Sequence, residues 1–151
     1  MDEAIINHLR RRHHLLIGET TAELIKKTIG SAHQDYDRQE MEVRGRSLTS
    51  GAPGSLVITG EEIREAINEV VSAIVASIRH ALEHTPPELS GDVMSSGISL
   101  AGGGALLKGL DKRITEELKI PVTIASDPLA AVVEGAGKCL ENLEVYKDIL
   151  F

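Results

Sequence analysis

The sequence predicts an α/β protein made of a small α+β lobe followed by an incomplete parallel sheet with its covering helices. Three observations carry this. Ile63, Ile67, Val70, Val71, Ile74, Val75, Ile78 and Leu82 recur at helical spacing, which describes a long amphipathic helix lying on a core. Residues 41–47 alternate with period two, and Leu56-Val57-Ile58 follows the turn cluster Ser50-Gly51-Ala52-Pro53-Gly54, giving a small antiparallel unit. From Gly97 onward the order is strand, glycine turn, helix, strand, helix, one right-handed βαβ unit. Such a unit calls for a largely parallel sheet covered by helices. Independent stability takes three or more strands, so the chain reads as short of strands.

Taken in order, Asp2 to about His13 reads as a helix with Ile5, Ile6 and Leu9 on one face. Gly18 breaks the pattern. Thr20-Thr21-Ala22-Glu23 then fits a capping box, with Thr20 as the cap, opening a second helix to about Thr28 that Gly30 closes. Residues 31–40 are polar and predict a loop. Thr59-Gly60-Glu61-Glu62 is another capping box at the head of the long helix, which Thr85-Pro86-Pro87 ends. The short apolar strand Gly97 to Ala101 runs into Gly102-Gly103-Gly104, with a helix expected from about Ala105 to Leu118. Val122 to Ala125 predicts another strand, and Asp127 a cap for a last helix starting at Pro128. Cys139 lies in a helical apolar pattern and is expected to be buried.

Composition narrows the function. Over 151 residues, 42% hydrophobic and 26% charged side chains are those of a globular chain. Aromatics make up only 2%, so the core must be aliphatic and the stacking rings that hold single-stranded nucleic acid are scarce. The formal charge of −7 falls on residues 61–151, residues 1–60 being neutral. A duplex-binding surface needs the opposite sign, so no nucleic-acid partner is expected. The basic run Arg10-Arg11-Arg12-His13-His14 reads as a solvated helix end. A single cysteine excludes an internal disulfide and points to a reducing compartment. The opening Met1-Asp2-Glu3-Ala4 carries no secretory signal, and no apolar run approaches the roughly 20 residues that span a bilayer. The expected location is the cytoplasm.

The chemistry-bearing constellation is the strand that ends in three glycines. Without Cβ atoms the backbone can approach a ligand closely, and free N–H groups at a helix start favour phosphate or ribose oxygens. A tight strand–helix turn alone needs fewer glycines. The phosphate loop of Walker A type fails, because Lys108 precedes Gly109 and Leu110 follows it. A dinucleotide fingerprint fits better: Gly102 and Gly104 have the spacing, and Asp127 ends the next strand, where a ribose-binding acid belongs. Its third glycine falls on Leu107, so a Rossmann-like dinucleotide-binding module stays only as an alternative. A second alternative is a protein-interaction module that uses the long helix and no nucleotide. His80-Ala81-Leu82-Glu83-His84 matches a zinc-peptidase pattern in letters, but His80 and His84 project away from the buried stripe. They read as a solvated pair; no metal ligands and no catalytic residues are assigned.

Ser99 to Asp111, reading Ser-Leu-Ala-Gly-Gly-Gly-Ala-Leu-Leu-Lys-Gly-Leu-Asp, resembles the adenosine motif of the actin and Hsp70 ATPase superfamily. Thr85-Pro86-Pro87-Glu88-Leu89, Asp127-Pro128-Leu129 and Glu134-Gly135-Ala136-Gly137 are similar to the MreB family of bacterial actin-like, rod-shape-determining proteins. So are Met1-Asp2-Glu3-Ala4-Ile5-Ile6 and Gly18 to Lys26, and the likeness runs along the whole chain.

The resemblance implies an actin-like (RNase H-like) ATPase domain II, incomplete, with residues 5–68 as a IIB-like lobe and 69–151 as a partial IIA-like lobe. It implies that Glu23 lies near the ribose hydroxyls, that the stem of Lys26 packs on the adenine, and that Gly102, Gly103 and Gly104 lie under sugar and phosphates. The ligand implied is ATP or ADP, with Mg2+ held mainly by parts of the family's fold that have no counterpart here. Also implied are filament formation, self-association through an exposed sheet edge or docking with a missing N-terminal half, and partners among membrane proteins of wall synthesis, hence membrane association of a cytoplasmic protein. Hydrolysis is expected of the intact protein and not of this chain alone.

Overall fold

A computed structural model of the chain describes residues 1–142 and 144–146; residue 143 and residues 147–151, the end of the lobe expected over 69–151, lie outside them. Helix α1 spans Asp2–His13, with Asp2 and Glu3 in its first turn and Arg10 to His13 in its last, each sign at the end of the dipole that favours it. It buries Ile5 and Leu9 and ends at His14 in a left-handed conformation. The two-residue strand β1, Leu15–Leu16, pairs antiparallel with the far end of β2, Glu40–Ser47. Strand β3, Pro53–Thr59, completes the sheet in the order β1-β2-β3, with Glu40 opposite Thr59 and Arg46 opposite Pro53. Alternation puts Val43 and Ile58 into the core and leaves Glu42, Arg44 and Val57 on the open face.

Helix α2, Glu19–Ile29, starts two residues earlier than the expected capping box allows. Gly18 is its N-cap, no side chain caps it, and Thr20 lies inside the first turn. Its apolar stripe Ala22, Ile25 and Ile29 meets α1 and the sheet. The segment expected to be a polar loop instead buries Ser31, Ala32 and His33 before a 3-10 turn, Gln34–Tyr36.

The long helix α3, Gly60–Glu83, does have its cap: the Thr59 hydroxyl accepts the Glu62 N–H at 3.2 Å. Ile63, Ile67, Val71 and Val75 are buried at every fourth position. The capping box is not reciprocal, because the Glu62 carboxylate turns to α1, where His8 Nε2 lies at 2.9 Å and His13 Nε2 at 2.5 Å.

Pro86 and Pro87 end α3 but also open an unforeseen helix, α4, Pro87–Ser96, with Pro87 at the first helical position. Strand β4, Ile98–Leu100, pairs in parallel with β5, Val122–Ile124. These two strands form the whole of the second sheet among the described residues. The helix expected from Ala105 begins only at Leu110: a 3-10 turn, Gly103–Leu106, comes first, and α5 spans Leu110–Leu118. Gly109 causes the break. Its φ of +72° is left-handed, and an added Cβ would sit 2.7 Å from His33 Cβ. Leu107, Leu110 and Ile114 join the same core as α1, α2 and α3, so α5 anchors the βαβ unit on α3.

Helix α6, Ala131–Glu141, buries no side chain, and the expected burial of Cys139 is only partial. Asp127 caps the approach to this helix: its Oδ1 accepts the N–H groups of Leu129 and Ala130.

Candidate functional site

The glycine turn is open. Gly102 adopts φ +80°, and its N–H donates to Pro128 O at 2.6 Å, which fixes the turn against the start of the α6 segment. A Cβ added at Gly102 or Gly104 would meet nothing within 4 Å, and one at Gly103 would meet only Leu129 Cδ2, at 3.7 Å. The N–H groups of Gly103 and Gly104 have no backbone partner among the described residues. The turn therefore offers a backbone cradle with free donors, the arrangement that suits ribose or phosphate oxygens.

Helix α2 supplies the other expected residues. Glu23 lies with Thr20, Thr21, Leu24 and Lys27 around a shallow depression of about 260 Å3. The Lys27 ammonium lies 2.8 Å from the Glu23 carboxylate; its hydrogen bond and charge hold that carboxyl below its ordinary range, so Glu23 is an anion at neutral pH. Lys26 diverges from it. Its ammonium donates to Asp2 of α1, with Nζ 2.8 Å from Oδ1 and 3.0 Å from Oδ2. The structure thus brings Glu23 to an open face and sends the Lys26 head group to α1, leaving only its stem for any apolar contact.

The segment that leaves the glycine turn is tied to the end of α2 by contacts that spacing alone does not reveal. Lys108, which follows the 3-10 turn, donates from Nζ to Thr28 O at 2.6 Å and to Gln39 Oε1 at 3.1 Å. Its carbonyl accepts the Ala32 N–H at 2.8 Å, within a parallel bridge between Ser31 and Lys108. Behind this bridge His33 is buried: Nδ1 accepts the Asp35 N–H at 3.2 Å and Nε2 meets Glu116 Oε2 of α5 at 3.1 Å. Two further apolar side chains are exposed beside the candidate residues, Leu24 on α2 and Leu106 in the 3-10 turn. Leu24 is legible as off the buried Ala22–Ile25–Ile29 stripe. Lys108 stands out only as the one charge between Leu107 and Gly109.

At the other end of α3, His80 and His84 lie ring to ring, 4.3 Å between centroids, and His84 Nδ1 bonds the His80 carbonyl at 2.8 Å. Both are exposed. Among the described residues no group of three His, Cys, Asp or Glu side chains is placed to hold a metal ion, and no helix is long and apolar enough to cross a membrane.

Three comparisons with known proteins bear on this geometry. A family model described as "MreB/Mbl protein" matches residues 1–148. The chain is 48% identical over 150 residues to the cell shape-determining protein MreB of Escherichia coli K12, covering 99% of this chain and 43% of that protein. It is 43% identical to the cell shape-determining protein Mbl of Bacillus subtilis 168, again over 43% of that protein's length. It therefore spans less than half the length of these relatives. Among solved structures, MreB5 of Spiroplasma citri bound to AMPPNP superposes with a TM-score of 0.90 at 36% identity, over 99% of this chain and 45% of that one. A MamK double helical filament superposes with a TM-score of 0.69 at 25% identity, over 84% of this chain and 39% of that one.

Proposed function

Because the chain belongs to the MreB/Mbl family and has an incomplete actin-like fold, we propose that it carries the sugar-and-base side of an adenine-nucleotide site in a cell-shape-determining, filament-forming protein. Glu23 accepts from the ribose hydroxyls, the stem of Lys26 packs beside the base, and Gly102, Gly103 and Gly104 pass under the sugar and phosphates. The observation that carries this reading is the open glycine turn, with two free N–H donors and nothing within 4 Å of a Cβ at Gly102 or Gly104. MreB5 of Spiroplasma citri, solved with AMPPNP and with ADP, supports ATP or ADP as the ligand class.

In the whole protein, residues 5–68 form the IIB-like lobe and residues 69 onward part of the IIA-like lobe. Nucleotide hydrolysis, the Mg2+ that neutralises phosphate charge, and the wall-synthesis partners at the cytoplasmic membrane belong to the intact assembly. In this reading the chain alone binds nucleotide weakly and does not turn it over. The two-stranded β4–β5 sheet supports self-association, since unpaired strand edges accept another chain.

Gly103→Val tests the assignment. A Cβ at Gly103 meets only ordinary contact, so the variant is expected to fold while its side chain obstructs the cradle. Titration with a fluorescent ADP derivative is expected to give saturable binding for the parent chain and at least tenfold weaker binding for the variant. Equal binding by both removes the glycine turn from the site, and partner capture that survives without nucleotide binding favours a protein-interaction module.

A further inference from the structure

Lys108 occupies a junction that neither α2 nor the glycine turn needs for its own internal bonding. Its Nζ bonds two neutral oxygens, Thr28 O at 2.6 Å and Gln39 Oε1 at 3.1 Å. Thr28 lies in the last turn of α2, where the unpaired carbonyls carry the negative end of the helix dipole, so a full ammonium charge is well placed there. The backbone carbonyl of Gln39 in turn accepts the N–H of Gly60, the first residue of α3, at 2.7 Å. The backbone of Lys108 is pinned as well, through the Ala32 N–H and the bridge to Ser31. Immediately after it, Gly109 turns the chain into α5 with a left-handed φ of +72°. One side chain thus ties the end of α2, the approach to α3 and the exit of the glycine turn.

We propose that Lys108 is a positioning residue for nucleotide binding: it latches the last turn of α2 to the glycine turn, so that Glu23 and Gly102–Gly104 meet the ligand as one preformed unit. This rests on the nucleotide reading given above. The physical basis is preorganisation. If two binding elements move independently, their relative freedom is lost on binding and affinity falls; if they are already fixed, that loss is spared. A charge-assisted bond to a helix-terminal carbonyl is among the stronger single fasteners between such elements. Because both acceptors are protein oxygens, the ammonium acts through geometry and not by neutralising phosphate.

That distinction sets the test. Lys108→Met keeps the aliphatic stem and removes the donor; Lys108→Arg restores a charged donor. Affinities are measured with fluorescent ADP and, by competition, with adenosine, which has no phosphate. Amide hydrogen exchange is followed at Ala32 and in residues 102–106. The expected result is a loss of about tenfold for both ligands in Lys108→Met, recovery in Lys108→Arg, and faster exchange at both segments in Lys108→Met. If Lys108→Met does not fold, Gln39→Leu removes one acceptor and is expected to weaken both ligands by about threefold. A Lys108→Met chain that binds like the parent overturns the latch and leaves the nucleotide reading intact. A loss confined to ADP also overturns it, since the lysine then acts on phosphate directly. A parent chain that binds neither ligand overturns the nucleotide reading itself and the latch with it.

Discussion

Glu62 Oε1 lies 2.5 Å from His13 Nε2 and 2.9 Å from His8 Nε2, so one carboxylate at the head of α3 fastens two imidazoles of α1. Glu62 also stands in the first turn of α3, where its charge complements the dipole. Burial by itself pushes this carboxyl up, but the hydrogen bonds and charges of His13 and His8 together outweigh it and hold it below the ordinary glutamate value of 4.5.

The sign of the pH dependence follows. A carboxyl whose folded value is depressed contributes stability that is present above its unfolded value and lost as pH falls through the folded one. Urea unfolding of the parent and of Glu62→Gln is expected to differ by about 2 kcal/mol near neutrality. The gap should close as the pH drops below about 4.5. A gap of the same size at pH 3 contradicts the assignment.

The two threonine caps that the sequence suggests have different fates. Thr59→Ala removes the hydroxyl that accepts the Glu62 N–H and is expected to cost about 1 kcal/mol. Thr20 lies inside α2 and caps nothing, so Thr20→Ala is expected to be neutral or slightly stabilising. Thermal denaturation of the two variants side by side checks the ordering.

Glycines near the turn separate in the same way. Gly109→Ala forces a left-handed alanine and drives its Cβ to 2.7 Å from His33 Cβ and 2.8 Å from Tyr36 Cδ2. A loss of about 2–4 kcal/mol is expected. Gly104→Ala meets open space and is expected to change stability by less than about 0.5 kcal/mol. Chemical denaturation midpoints decide it.

The core and the α6 face make a third contrast. Ile67 is fully buried on α3, and Ile67→Ala is expected to cost about 3 kcal/mol. Val132 on α6 is 72% exposed, and Val132→Ala is expected to leave the unfolding midpoint unchanged. A large effect at Val132 means that α6 packs against something in solution.

Much of this architecture was legible because hydrophobic spacing is a local signal. The stripe Ile63, Ile67, Val71 and Val75 announces α3, and the alternation through Val43 announces β2. The open glycine turn was legible from three consecutive residues without Cβ. What escaped was set by tertiary contact. Gly109 turns left-handed where His33 and Tyr36 leave no room for a Cβ, and this turn shortens the helix expected from Ala105. Residues 31–33 look polar yet are buried, because Ala32 and Ser31 pair with Lys108, roughly 75 residues away. Thr20 satisfied the letters of a capping box, but Gly18 is the N-cap and α2 starts two residues earlier. Lys108 itself is invisible as a fastener, since its acceptors are a backbone carbonyl and an amide oxygen that no spacing rule singles out.

Backbone chemical shifts of the isotopically labelled chain, recorded with increasing ADP, address the proposed nucleotide site most directly. Saturable shifts at Gly103, Gly104 and Glu23 with a common dissociation constant are the predicted result. Shifts that leave those three residues unmoved while others respond, or no response at any concentration, contradict it.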